Sequence, residues 1–196
     1  MPHIALPEIP GIMAMLTAFP EVERPLNQLT NHVMCGPSSL TRGERELIAT
    51  AVSNGNECYF CTSSHAAVTR TLLGDEARVV DELLEQGETC HLTPKMQALV
   101  AIALKVRQSG KLVTADEVQR ARDAGADDQA IHDTVLIAAM FCMFNRYVDG
   151  LATTAPRDPE FYKQTGQRVA QNGYGSTFRE RTKAHVEGQK IPGATQ

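Results

Sequence analysis

The chain has no apolar run long enough to cross a bilayer as a helix, so nothing in it reads as a membrane anchor. Its N-terminus, Met1-Pro2-His3-Ile4, lacks the basic and apolar regions of a secretory signal, and a cytosolic location is expected. It also lacks a basic stripe. Lys and Arg are scattered and the net charge is −4, so nucleic acid is not an expected partner. Strand-type alternation and Asn-Gly turns between strand-like runs are missing too, which removes β and α/β architectures. What remains is 196 residues, 42% hydrophobic and 21% charged, enough to bury a core as one domain without covalent staples. Five cysteines in a reducing compartment then point to reactive or metal-binding thiols rather than structural bridges.

Helix signals fill the space that the absent strands leave. Thr41-Arg42-Gly43-Glu44 is a capping box, followed by Leu47, Ile48, Ala51 and Val52 at helical spacing. Asn54-Gly55 closes that helix, and Asn56 is placed to cap the next, expected from Glu57 to about Leu73. Asp75 can start another, to about Gln86. Thr93-Pro94 combines a cap with proline at the first helical position. Thr114-Ala115-Asp116-Glu117 is a second capping box, with Gly125 as its stop. Asp127 or Asp128 opens the longest apolar segment, Ile131 through Val148, and Gly150 ends it. An all-α bundle is the expectation. The segments beginning at Thr41 and Thr93 also echo each other at an offset of 52 residues, as two similar helices of one bundle would, or as any two capped amphipathic helices would.

The ends differ from this middle. Residues 1–40 carry several prolines and short apolar patches, among them Ile9 to Phe19. After Pro156 a short helix fits Glu160 to Gln171. Residues 172–196 form a polar, glycine-containing tail that cannot order itself alone and would be mobile or laid over a neighbouring subunit. The domain is therefore expected over 1–171, with its core at about 41–150.

The chemistry concentrates in Glu57-Cys58-Tyr59-Phe60-Cys61-Thr62-Ser63-Ser64-His65. Two thiols separated by two residues can close a disulfide ring or share a metal. His65, four positions after Cys61, shares its helix face and can take its proton. A helix beginning at Asn56 would place Cys58 in the first turn, where the dipole favours a thiolate. The dipole thus favours Cys58 and the local base favours Cys61. A hydrogen-bonded imidazole acts more directly than a fading field, so Cys61 is expected to attack and Cys58 to resolve. Glu46, on the preceding helix, can hold His65 in its useful tautomer. Taken alone, such a residue as Glu46 is more often a solvated helical carboxylate, paired with Arg42 or Arg45.

The joint spacing of Glu46, Cys58, Cys61 and His65 resembles the alkyl hydroperoxidase D (AhpD) family, within the carboxymuconolactone decarboxylase-like superfamily. The stretch Asn145-Arg146-Tyr147-Val148-Asp149-Gly150 is similar to its peroxidase-related branch. The resemblance implies an all-α homo-oligomer, trimer or hexamer, that reduces hydroperoxides with the Cys pair and needs no bound cofactor. An external dithiol donor, a lipoyl protein or a thioredoxin-like protein, would recharge it. One departure stands out: AhpD proper has a second His between the cysteines, where this chain has Phe60, which implies a shorter proton relay. The decarboxylase branch typically lacks the Cys pair, which argues against decarboxylation.

Two other readings compete with a peroxidase. One is a thiol-disulfide oxidoreductase or adaptor that never meets peroxide, and the other a zinc-stabilised helical scaffold. The zinc reading would draw Cys90-His91 toward the CxxC, without the paired second half of a zinc motif. Cys35 and Cys142 are isolated, and Cys142, among Met140, Phe141, Met143 and Phe144, reads as core. His132 reads as a satisfied core histidine, and Arg146 and Asp149 as an ion pair within or between subunits.

Overall fold

The computed structural model describes residues 1–86 and 91–174. Among them are nine α-helices and no strand, in agreement with the all-α expectation. In chain order these are α1 Ile12–Ala18, α2 Pro20–Cys35, α3 Arg42–Gly55, α4 Tyr59–Leu73 and α5 Arg78–Gln86. Then come α6 Pro94–Gln108, α7 Ala115–Asp123, α8 Asp128–Gly150 and α9 Pro159–Asn172. None is long and apolar enough to cross a membrane.

Four starts follow from local chemistry. Thr41 and Thr114 form complete capping boxes with Glu44 and Glu117. The Thr93 hydroxyl accepts from the Met96 N–H, and Asp127 accepts from Ala130. Each cap satisfies a backbone donor that the helix leaves unpaired, worth about 1 kcal/mol. Two expectations need correction. Asn56 terminates α3 instead of opening α4, which starts at Tyr59 with Cys58 as its N-cap. Asp75 lies in a single 3₁₀ turn, Gly74–Glu76, and α5 begins only at Arg78. The proline-marked N-terminal region holds α1 and α2. Pro20 sits at a helix start, where its missing N–H costs nothing, while Pro25 lies inside α2. Packing of Thr30, Val33 and Met34 against the body sustains α2 past that proline.

Helix α3 is the axis of the molecule. Every residue from Arg45 through Ser53 is buried, because α4, α6 and α8 surround it. Ala49, Ala51 and Ser53 keep that helix thin enough for neighbours on several sides. The main core joins Leu47 and Ile48 to Leu99, Ile102, Ile137 and Phe141, and truncating any one of these costs about 2–5 kcal/mol. The two echoing helices, α3 and α6, pack on each other, and the Arg107 guanidinium donates to the Gly55 carbonyl at the end of α3. Between α3 and α4 the hydroxyls of Thr50 and Thr69 meet at 3.2 Å.

Helix α9 lies along α4 on the opposite side from the main core. The approach is close: a Cβ on Gly166 would sit 2.6 Å from the Ala67 carbonyl oxygen. Arg42 secures the far end of α9, donating to the Val169 and Ala170 carbonyls at 2.8 Å each. Gly173 then turns the chain with φ 65°, a left-handed value that favours glycine, and the Tyr174 N–H reaches Asn31 Oδ1 at 3.2 Å. The expected tail from residue 172 therefore begins, in fact, as the last turn of α9 and a docked tyrosine of the same chain. Residues 175–196 lie outside the described residues.

Candidate active site

The CxxC segment is held by the tight connection between α3 and α4. Glu57 adopts φ 59°, and the Cys58 N–H donates back to the Ser53 carbonyl at 3.1 Å. Cys58 is thereby fixed as the N-cap of α4, and Cys61 falls in its first turn. From there, helical spacing places Cys61, Ser64, His65 and Val68 on one face, and all four line a cavity of 380 Å³. Cys58 is fully buried and does not line it. Both thiols are free. The expectation that Cys58 sits inside the first turn is thus corrected, and with it the case for Cys58 as the thiol favoured by the dipole.

The two sulfurs share one hydrogen bond, and the environment decides which keeps the proton. Cys58 hydrogen-bonds Cys61 and is desolvated, and both effects push its thiol well above the ordinary range. Cys61 is pulled down, chiefly by accepting from Cys58, then by the nearby His65 and a hydrogen bond from the Asn145 side chain, against the opposing effect of burial. Only Cys61 has these additional partners. The sulfur whose proton is drawn away is the one that faces the cavity.

His65 is oriented from behind. Its Nδ1 lies 2.7 Å from Glu46 Oε2, in a pair where Glu46 is 1% exposed. A carboxylate can only accept, so Nδ1 carries the proton and Nε2 presents a lone pair. Arg42 and Arg45 do not take up Glu46. Arg42 holds α9, and Arg45 donates to the Val33 and Gly36 carbonyls at the end of α2. The second oxygen of Glu46 is occupied by a residue that no sequence signal marks. Tyr174 donates its hydroxyl to Glu46 Oε1 at 2.8 Å, and its oxygen lies 3.2 Å from His65 Nδ1. Burial, then the charge of Glu46, raises the Tyr174 phenol well above its usual range, so it stays a donor. The imidazole is boxed between the Phe141 edge at 4.4 Å and the Tyr174 ring at 6.2 Å.

Asn145 is the other residue that role assignment from sequence passed over. It is 1% exposed on α8, accepts from Asn56 Nδ2 at 2.8 Å and donates to Ser53 Oγ at 3.1 Å. The network ties the turn that carries Cys58 to α8 and keeps the Asn145 amide beside Cys61. A signal existed: a polar residue interrupting the apolar run Ile131–Val148 on its buried face.

The remaining candidates scatter. His132 is exposed and bonds Asp133 at 2.9 Å, so it is not a core histidine. Cys142 is half-buried and packs against the main core, as expected, and it also interacts with Asn56 and the Arg107 carbonyl. Arg146 donates to the Cys142 carbonyl at 2.9 Å in place of the expected pair with Asp149. His91 bonds Glu82 at 2.7 Å, and Cys90 lies outside the described residues. Among the described residues no group of three or more His, Cys, Asp or Glu side chains is arranged to hold a metal ion.

Residues 20–105, which include Glu46 and the whole CxxC-to-His65 segment, match the carboxymuconolactone decarboxylase family. The match spans 86 of the 196 residues. The bundle of this chain is of the AhpD type. It is similar to an uncharacterized peroxidase-related protein from Silicibacter sp. TM1040, with TM-score 0.70 and 23% identity over 87% of this chain and 81% of that one. It is also similar to the alkylhydroperoxidase AhpD core of an uncharacterized peroxidase-related protein from Ralstonia eutropha JMP134, with TM-score 0.71 and 24% identity over 81% of this chain and 82% of the other. No curated protein matches it. Tyr174 lies beyond the segment that matches the family, as do α8 with Asn145 and the first helix of the cavity wall.

Proposed function

We propose that this chain belongs to the carboxymuconolactone decarboxylase family and is a thiol-dependent peroxidase acting on organic hydroperoxides. The reading rests on one observation: the thiol on the cavity is the one whose proton is drawn away, beside a histidine held in its Nδ1–H tautomer by Glu46. In the cycle, His65 Nε2 accepts the Cys61 proton. The thiolate attacks the outer oxygen of the hydroperoxide, the O–O bond breaks, and the alkoxide leaves with the proton from His65. Cys61 is then a sulfenic acid. The Cys58 thiol condenses with it, releasing water and forming the Cys58–Cys61 disulfide. An external dithiol, from a lipoyl or thioredoxin-like protein, returns two electrons and two protons. Sulfur carries the electrons throughout, so no bound cofactor enters the cycle.

Single-thiol variants test the assignment. Cys58→Ser should consume one equivalent of cumene hydroperoxide and stop as a Cys61 sulfenic acid that dimedone traps. Cys61→Ser should consume none. The opposite pattern would exchange the two roles, and inertness of the wild-type pair toward hydroperoxide would remove the peroxidase reading altogether.

The same reading includes a homo-oligomer, trimer or hexamer. Its support is the outer face of α8, where Val135 and Met143 are 37% and 43% exposed on a helix whose other side fills the core. A stable species at the chain mass of 21.4 kDa in light scattering would refute it.

A further inference from the structure

Ser64 departs from a pattern that several helical hydroxyls of this protein follow. Thr50, Thr69, Thr71 and Thr134 each return the hydroxyl to the carbonyl four residues before, at 2.7–2.9 Å. Ser64 is 8% exposed, yet its Oγ has no hydrogen-bond partner among the described residues. It lines the same cavity as Cys61 and His65, one helical turn beyond the thiol. A buried hydroxyl left unpaired is destabilising, and such a cost is typical of positions kept for function.

The rest of the cavity supplies what this hydroxyl does not. Beyond the Cys61–Ser64–His65 face its wall is largely apolar, with Ile12, Met13 and Leu16 from α1, Leu26 from α2, and Phe144 and Phe161 opposite. Phe60, the residue between the cysteines, closes one side, its ring lying 2.2 Å from where a Cβ on Gly11 would be. A space of 380 Å³ is within the range of small-molecule sites and far larger than hydrogen peroxide.

We infer that Ser64 is the anchor for the peroxy group of a bulky, apolar-bodied hydroperoxide, whose body fills the space between α1, α2 and the phenylalanines. The inference rests on the peroxidase reading above and adds a substrate-positioning residue to it. Side chains one turn apart on a helix face have β-carbons about 5–6 Å apart, which leaves room for one O–O group between Cys61 and Ser64. The Ser64 hydroxyl donates to the inner, carbon-bound oxygen, so the outer oxygen is presented to the Cys61 sulfur. As the O–O bond breaks, the electron pair moves onto that inner oxygen, and the hydrogen bond strengthens until His65 delivers its proton. Hydrogen peroxide could use Ser64 but would leave the apolar wall unfilled.

The test compares wild type, Ser64→Ala and Ser64→Thr in the fully reduced state, with cumene hydroperoxide as oxidant. Disulfide formation should be about tenfold slower in Ser64→Ala and largely restored in Ser64→Thr, the loss expected for one hydrogen bond to the reacting group. The pH profile of Cys61 alkylation by iodoacetamide should keep its midpoint, because Ser64 acts on substrate and not on the thiol. The thermal midpoint of Ser64→Ala should match or exceed that of wild type, since the variant removes an unpaired buried hydroxyl. Calorimetric binding of the product alcohol, 2-phenyl-2-propanol, should weaken in Ser64→Ala, and this readout needs no redox chemistry. Wild-type rates in Ser64→Ala, or a lowered thermal midpoint with a shifted alkylation profile, would overturn the anchor and leave the dithiol chemistry standing. A wild-type protein that forms no Cys58–Cys61 disulfide with cumene hydroperoxide would overturn both.

Discussion

Replacing Tyr174 by Phe isolates the interaction that joins the end of the described chain to the candidate site. The substitution deletes one oxygen and keeps the ring, so the packing against His65 survives and no cavity is left. What is lost is the 2.8 Å bond to Glu46 Oε1, on a carboxylate that is 1% exposed and whose other oxygen is engaged by His65. Hydrogen bonds to charged groups contribute about 1.5–3 kcal/mol, and the burial of Glu46 keeps bulk water from replacing the donor cheaply. A loss of about 2 kcal/mol is expected, which for a domain of this size lowers Tm by roughly 4–8 °C. The assay is thermal and urea unfolding of the reduced protein at one fixed protein concentration, because assembly would otherwise shift the midpoint. Tyr59→Phe is the control: that ring is 38% exposed and should change stability by no more than about 0.5 kcal/mol. If Tyr174→Phe is as silent as the control, Tyr174 does not occupy Glu46 in solution. The account of how α9 completes the site would then be wrong.

Asn145→Asp replaces a donor to Cys61 with a negative charge. Since the native thiol is drawn below its ordinary range, its alkylation should plateau at lower pH than that of a free cysteine, and the variant should move the profile upward, about tenfold in neutral-pH rate for each unit. An unmoved profile would detach Asn145 from the thiol. Gly166→Ala should destabilise by about 1–3 kcal/mol in urea, because its Cβ meets the Ala67 backbone, whereas Gly110→Ala, with open space around it, should be near neutral; equal effects would refute the close α4–α9 crossing. Glu117 has its carboxyl held down at about 2 by Lys105 and by the cap at Thr114. A lowered folded-state value stabilises fully above the ordinary carboxylate range and fades as pH falls from about 4.5 toward 2, so Glu117→Gln should flatten the acid limb of the stability curve over that window.

Helix boundaries were legible wherever a side chain caps its own helix. Thr41, Thr93, Thr114 and Asp127 act within a few residues of themselves, and local chemistry is written in local order. The error at Asn56 has the same root. Asparagine is a good cap, but this one is drawn to Asn145, 89 positions away, and the cap passes to Cys58. Helix α2 has no side-chain cap to mark its start, and the packing that carries it past Pro25 is tertiary.

The sequence by itself determined the all-α class and which residues share a helix face, because three- and four-residue spacing is fixed by helix geometry alone. Cys61, Ser64 and His65 had to lie together, and Glu46 had to lie on the preceding helix. Only the tertiary structure decided which thiol meets a cavity, which partner Glu46 takes among two arginines and a histidine, and that Tyr174 and Asn145 belong to the site. Those choices depend on distances between segments remote in the chain, set by how α8 and α9 pack around α3 and α4. Burial then turns proximity into chemistry, since a carboxylate or thiol without water must find its donors among whatever the fold has placed beside it.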